Sequence, residues 1–399
     1  MFTSIDLFCG AGGLTEGFSQ AGFSCLFGND HDPTAVATFK RNHENSHAVA
    51  APIEDLDASS IRRGLALEPG ELDCLVGGCP CQGFSINAPE RFLEDPRNHL
   101  FRDYVRFVDE FRPRTLVFEN VPGMLSLDGG KVFREVCNSF MRLGYDVSYW
   151  ILYAPHYGVP QERYRLILLA GRDGAPGHPL PEFDAQGRAN FTGGRELIYR
   201  ADNFRHFELK PKNTVFDALG DLPMLKSGEG NDEQRYTRKA HSKLAIELRN
   251  GNKVLTHHVA PAISQINLER LKHIKPGGSW RDIPHDLLPA GMQRARRSDH
   301  TRRYGRLTPD GLSSTIMTKI DPHWGAAFHY EQDRTLTVRE AARLQTFPDS
   351  YRFSGSRVDQ YRQIGNAVPV LLAKAIGRAV TTKLEGRAAP GQLFEAACR

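Results

Sequence analysis

Cys81 lies in the run Gly77-Gly78-Cys79-Pro80-Cys81-Gln82-Gly83-Phe84-Ser85, directly after a short apolar stretch, Leu72-Asp73-Cys74-Leu75-Val76. The stretch reads as an interior strand that the two glycines and Pro80 end abruptly. Pro80 fixes its own φ and lacks an N–H, so Cys81 is presented at a strand's carboxyl end with little freedom. Ligands of open α/β sheets bind at that end. A thiol held there can act as a nucleophile once a modest pKa shift makes it a thiolate. The residues alone leave two other chemistries open. One is an inert packed thiol. The other is a metal or redox pair with Cys79, although the familiar patterns place two residues, not one, between the thiols.

Three further segments carry polar groups where a strand should end or begin. Glu119 and Asn120 follow the apolar run Thr115-Leu116-Val117-Phe118, and a carboxylate there could hold or donate a proton. In Gln161-Glu162-Arg163-Tyr164-Arg165, alternation would place Gln161, Arg163 and Arg165 on one side of a strand. Such a row is expensive to bury unpartnered, so it points to a charged site or a solvated edge. Asp6-Leu7-Phe8-Cys9-Gly10-Ala11-Gly12-Gly13 is a strand running into a glycine turn and a helix, a place where backbone can approach a ligand closely. The next strand ends at Asn29-Asp30. An acid at that tip, roughly 20 residues on, suits ribose hydroxyls; capping a helix ahead of Pro33 would suit it too. His257 and His258 are adjacent with nothing at metal spacing, so no metal is expected.

The elements that must position these groups alternate between strand and helix over the first 170 residues. Strands are predicted at 4–8, 25–29, 72–76, 115–119, 146–153 and 166–170, and helices at 15–21, 33–42, 101–111 and 132–143. That alternation predicts an α/β fold, a parallel sheet covered by helices. From 172 to 213 Gly, Pro, Asn and Arg become frequent and periodicity fades. A short helix is expected at 214–222 and a compact segment at 266–273, with order returning in helices at 338–344 and 368–384. The domains read as 1–174, a smaller irregular one at 175–325, a return at 326–385 and a tail at 386–399.

Composition bounds the class. The 399 residues are 40% hydrophobic and 25% charged, ordinary for a globular enzyme with a real core. No basic leader or membrane-length apolar stretch is evident, and seven scattered cysteines point to a reducing cytoplasm rather than a disulfide framework. Net charge is only +4, yet residues 270–306 hold ten Lys and Arg against three Asp. A basic stretch on a near-neutral body suits a polyanion.

Taken together and in order, residues 6–13, 78–85, 95–97 with Leu100-Phe101, 119–121, 161–165, 334–349 and 363–369 make the chain resemble the DNA (cytosine-5) methyltransferases of bacterial restriction-modification systems. The blocks span almost the whole chain. Only 171–334, where that family carries its variable target-recognition region, lacks one. The resemblance implies a Rossmann-like methyltransferase sheet with a small target-recognition domain, and S-adenosylmethionine as cofactor. Phe8, Cys9, Gly10, Gly12 and Gly13 would flank the cofactor, and Asp30 with His31 would bind its ribose. Ile53, Pro80 and Leu100 would line the pocket, and Asn366 and Ala367 would close its methionine side. The substrate would be a cytosine flipped out of double-stranded DNA, attacked at carbon 6 by Cys81. Glu119 would hydrogen-bond its ring N3 and amine, and Arg163 and Arg165 would hold the base and lower the Cys81 pKa.

DNA would be met by Gln82, Ser85, Asn87 and Arg97, in and beside a loop at 86–98 that closes over it. Phosphates would fall to Arg294, Arg296, Arg297, Arg302 and Arg303. One block departs from the family: Pro52 stands where an acid usually meets the adenine amine. A monomer is implied, with a cognate endonuclease as a further partner. A tRNA-methylating relative would carry Cys-Phe-Thr, absent here; a silent DNA-binding relative would have lost the cysteine or glutamate; a small-molecule methyltransferase would leave the basic stretch unexplained.

Overall fold

A computed structural model describes residues 1–79, 100–187, 189, 191, 194, 197–198, 208–296, 298, 302–323 and 325–387. Its chain divides into two compact units, one of residues 1–157, 164–211 and 368–399, the other of 158–163 and 212–367.

The first unit is built on seven strands in the order β3-β2-β1-β4-β5-β7-β6. These are β1 Phe2–Leu7, β2 Phe23–Asp30, β3 His47–Ala50, β4 Cys74–Gly78, β5 Thr115–Asn120, β6 Asp146–Tyr153 and β7 Tyr164–Gly171. Helices α1 Gly13–Gln20, α2 Pro33–Asn42, α3 Ala58–Gly64, α4 Leu100–Phe111 and α5 Lys131–Arg142 link the first six strands. All six predicted strands are present. The unpredicted seventh, β3, is a four-residue edge strand in which only Ala48 is buried, so it carries little apolar signal. The sheet is also not wholly parallel, because β7 runs antiparallel to both β5 and β6. The link from Tyr153 to Tyr164 holds one short 3-10 turn, too little for the helical crossover that a parallel return needs.

The core of this unit gathers Leu7, Leu75, Phe107, Phe111, Leu116, Phe118, Phe140 and Leu168, all at or near zero exposure. Two short strands, β8 Phe183–Asp184 and β9 Lys210–Pro211, pair at its margin. A late helix, Val370–Leu384, returns here. α1 packs on it so closely that a Cβ added at Gly17 would lie 2.3 Å from the Ala373 Cβ, an approach only glycine permits.

The second unit holds α6 Val215–Leu219, α7 Lys243–Arg249, α8 Gln265–Leu271, α9 Ala290–Gln293, α10 Val338–Leu344 and α11 Arg357–Asn366. With them are the pairs β10 Gly230–Arg235 with β11 Val254–Val259, and β12 Gly305–Arg306 with β13 Ala326–Phe328. One apolar cluster surrounds Trp280, with Leu271, Ile283, Met292, Tyr304 and Phe328. A second centre is ionic. Arg334, Arg339 and Arg343 are fully buried, and each has polar partners inside, without which a buried charge would be costly. Arg334 forks onto Glu340 at 2.6 and 2.8 Å, and Arg343 bridges Asp221 and Asp349. These arginines tie 334–349 to the second unit. The chain re-enters the first unit at Val368, with α12 Val370–Leu384.

Candidate active site

The glycine turn at the tip of β1 is bent by three left-handed positions, Phe8 (φ 58°), Gly10 (φ 53°) and Gly12 (φ 88°). Phe8 is strained there, as a bulky residue rarely adopts positive φ. Asp30 binds the turn: its Oδ2 accepts from the Gly10 N–H at 2.9 Å, and its Oδ1 from the Asp32 N–H at 2.9 Å. The cap of α2 is Asp32, whose Oδ1 accepts from the Thr34 N–H at 2.9 Å. Asp30 is thereby released from the capping role and left with a partly exposed carboxylate at the strand tip.

Among the described residues a Cβ on Gly10 would meet nothing within 4 Å, and the turn with the Asp30 carboxylate has the chemistry to take a nucleoside cofactor. Gly13 starts α1. The Cys9 thiol is buried, and burial, with Asp6 and Asp30 nearby, holds its pKa well above the usual thiol value. Burial also pushes Asp6 up to about 7; its Oδ2 accepts from the Thr15 hydroxyl at 2.6 Å. His31 is mostly exposed and lies 3.2 Å from Asp30. Ile53 is buried, with its carbonyl accepting from Arg106 at 2.9 Å. Leu100, half-buried, opens α4.

The strand that leads to the thiol is β4. Pro80, Cys81, Gln82, Ser85, Asn87 and Arg97, and the loop at 86–98, lie outside the described residues. Their anchorage does not. Cys79 is buried in the core, and its carbonyl accepts from the Asn120 side chain at 3.3 Å, while Asn120 Oδ1 accepts from the Val121 N–H at 2.9 Å. Asn120 thus pins Cys79, just past the end of β4, to the tip of β5.

Gly78 stands opposite Glu119 in the β4–β5 register. A Cβ there would come within 2.9 Å of Glu119 Oε2, so glycine makes room for the carboxylate. On the other side Arg165 of β7 meets Glu119 Oε1 through its Nε at 2.6 Å, with both side chains nearly buried. A charge-assisted pair this dry holds the carboxylate in one place.

Gln161, Arg163 and Arg165 do not form the expected row. Only Arg165 is on the strand. Gln161 bridges Ser313 in the second unit. Arg163, 2% exposed, points its guanidinium at carbonyls of that unit: Gly365 at 2.9 Å, Ala367 at 3.1 Å and Ile316 at 3.4 Å. A guanidinium spread over three carbonyls anchors that backbone.

The basic stretch also divides. Arg306 is bound by the Ile274 and His329 carbonyls and by Asp333, and Arg270 by the Leu287 carbonyl and the Tyr304 face. Arg294 and Arg296 are exposed, Arg303 is half-buried, and Arg302 pairs with Glu162; Arg297 lies outside the described residues. Trp280 packs in the core. His258 is buried between Thr337 Oγ1 and the Pro223 carbonyl. Among the described residues no cluster of three His, Cys, Asp or Glu could hold a metal, and no helix is long and apolar enough to cross a membrane.

The C-5 cytosine-specific DNA methylase family matches residues 2–382. The chain belongs to that family. It is 35% identical to the Type II methyltransferase M.AgeI of Thalassovita gelatinovora over 94% of this chain and 98% of that one. It is 32% identical to the Type II methylase M.HgiDII of Herpetosiphon aurantiacus, over 96% of each. A crystal structure assigned to a DNA modification methyltransferase of an Escherichia coli prophage superposes with a TM-score of 0.73 at 25% identity, covering 96% of this chain and all of that one. The protein is thus a DNA (cytosine-5) methyltransferase with Type II restriction-modification homologues. For this methyltransferase, sequence reading missed Gly78 and Asn120, whose work depends on what the neighbouring strand presents.

Proposed function

We propose that the protein is a sequence-specific methyltransferase that moves a methyl group from S-adenosylmethionine to carbon 5 of a flipped-out cytosine through a covalent Cys81 adduct. The observation that carries this reading is the Glu119 carboxylate, fixed by Arg165 at 2.6 Å beside the glycine that precedes the thiol turn. In the proposed sequence the Cys81 thiolate forms a bond to carbon 6, and the carbon 5–carbon 6 π pair shifts to carbon 5. Glu119 hydrogen-bonds N3 and the amine as charge gathers there. Arg165 keeps Glu119 aimed. S-adenosylmethionine would supply an electrophilic methyl to the carbon 5 pair and leave as S-adenosylhomocysteine. A base then takes the proton of carbon 5, the electrons of that C–H bond re-form the carbon 5–carbon 6 double bond, and the thiolate leaves carbon 6.

Phe8, the glycine turn with Cys9, Gly10, Gly12 and Gly13, Asp30, His31, Ile53, Pro80 and Leu100 are proposed to hold the cofactor, with Asn366 and Ala367 toward its methionine. Gln82, Ser85, Asn87 and Arg97 are proposed to meet the DNA near the extruded base, and Arg294, Arg296, Arg297, Arg302 and Arg303 its phosphates. Residues 175–325 are proposed as the target-recognition region. A cytoplasmic monomer beside a cognate endonuclease completes the reading.

DNA carrying 5-fluorocytosine tests it, because fluorine at carbon 5 cannot leave as a proton does and traps the adduct. Wild type is expected to give a covalent complex and Cys81→Ala none. A complex with Cys81→Ala, or none with wild type, overturns the assignment. Base-resolution mapping after expression in a methylation-free host reads the target sequence.

A further inference from the structure

The last carbonyls of α11 carry an unusual cap. A helix C-terminus leaves carbonyls without intrahelical partners and favours a nearby cation. α11 has no basic residue in its last turn. Arg163 supplies the charge from elsewhere in the chain, donating to the Gly365 and Ala367 carbonyls at 2.9 and 3.1 Å. Gln345 completes the set: its Nε2 donates to the Ile364 carbonyl at 2.7 Å and to that of Ala367 at 3.2 Å. Gln161 orients Gln345, donating to its Oε1 at 3.0 Å, and accepts on its own Oε1 from the Ile316 N–H at 3.0 Å. The three side chains are buried. On the opposite side Gly365 is wedged against backbone, since a Cβ there would lie 2.6 Å from Met317 O and from Thr318 N. Asn366, between the gripped carbonyls, is exposed.

We infer that Arg163 and Gln345 are positioning residues for the cofactor: they clamp the Gly365-Asn366-Ala367 turn so that Asn366 is presented in one orientation. The inference rests on the reading that Asn366 and Ala367 hold S-adenosylmethionine. It divides the labour of two arginines two positions apart. Arg165 fixes Glu119 for the base, and Arg163 fixes the turn for the methyl donor.

The partial reactions separate these roles. Without cofactor, the carbon 5 pair created by thiolate attack can take a proton from solvent, so the enzyme exchanges cytosine H5 for deuterium. Arg163→Ala and Gln345→Met are expected to weaken S-adenosylmethionine binding, measured by calorimetry, by about tenfold to a hundredfold, because charge-assisted and buried hydrogen bonds are removed. Exchange in the same variants should change by less than about threefold. Arg163→Lys, which keeps the charge, should recover part of the affinity. Gly365→Ala, which touches no hydrogen bond, should fall the same way as Gln345→Met.

Unchanged cofactor affinity in both Arg163→Ala and Gln345→Met overturns the clamp. So does a fall in exchange equal to the fall in affinity, which would return Arg163 to the base. Calorimetry needs no turnover, so absence of exchange in wild type counts against the proposed chemistry and leaves the clamp to be judged on binding.

Discussion

Gly78→Ala is the smallest change that should reach the chemistry without touching the fold. Gly78 is not among the positive-φ positions, so alanine meets no backbone strain, and fewer unfolded conformations would by themselves stabilise by about 0.4–1 kcal/mol. The added methyl, however, would lie 2.9 Å from Glu119 Oε2, against roughly 3.5–4.0 Å for relaxed contacts between carbon atoms. The carboxylate must yield, and it is held on its other side by Arg165 at 2.6 Å. Overpacking of this kind costs about 1–3 kcal/mol. Placed on the aim of Glu119, that is about a fivefold to hundredfold drop in turnover, with melting temperature and S-adenosylmethionine affinity nearly unchanged.

The comparator is Gly77→Ala, whose methyl would strike the Tyr104 ring at 2.7 Å and the Leu7 carbonyl at 2.9 Å. It should lower the melting temperature instead. Steady-state methyl transfer to unmethylated DNA, cofactor calorimetry and thermal melting read all three quantities. Turnover of Gly78→Ala within about a factor of two of wild type, or an equal fall in cofactor affinity, would refute the argument.

Arg343→Met should destabilise the protein by about 3 kcal/mol, read by urea unfolding, because it removes the buried cation that Asp221 and Asp349 share, leaving Asp221 to Arg249 and Asp349 to Tyr236 and Arg339. Acid should act on the same unit. Burial, with Glu340 partly opposing it and Arg334 adding to it, holds His329 down at about 3. A group with a depressed folded pKa contributes stability above its unfolded value that is lost as pH falls, here from about 6.5 toward 3. The expected decrease from His329 is about 2 kcal/mol by about pH 5; His258, also lowered by burial, adds in the same direction, whereas Asp6, raised to about 7, gains stability as pH falls, so the readout is the stability difference between wild type and His329→Gln, and a difference that stays flat from about pH 7.5 to 5 would contradict the argument. Arg296→Glu should weaken DNA binding and flatten its salt dependence, with a change of about one in the log–log slope for each phosphate no longer neutralised; an unchanged slope places the DNA surface elsewhere.

Much of this was legible in the sequence because local patterns carry it. Apolar runs ended by glycine and proline marked six of the seven main strands, and the tips of those strands marked Asp30, Glu119 and Arg165. β3 was not legible, since an edge strand with one buried side chain has no periodic signature. Nor was the reversal of β7, which depends on how short the link before it is. Two readings were indistinguishable in one dimension: whether Asp30 caps the helix ahead of it or is left for a ligand, and whether Arg163 shares a face with Arg165. Hydrogen-bond partners decide both.

By itself, then, the sequence determined where the apolar strands start and stop and which polar residues stand there: Asp30, Glu119 and Arg165, with a glycine turn after the first strand. Strand ends are local properties, set by where hydrophobic runs stop. Tertiary structure alone decided which of these groups meet. Strand register puts Gly78 beside Glu119, and the antiparallel return of β7 brings Arg165 to the same carboxylate. Arg163, just ahead of Tyr164 where β7 begins, turns to carbonyls more than two hundred residues away in sequence, because buried carbonyls at a helix end need a donor that no local pattern can supply.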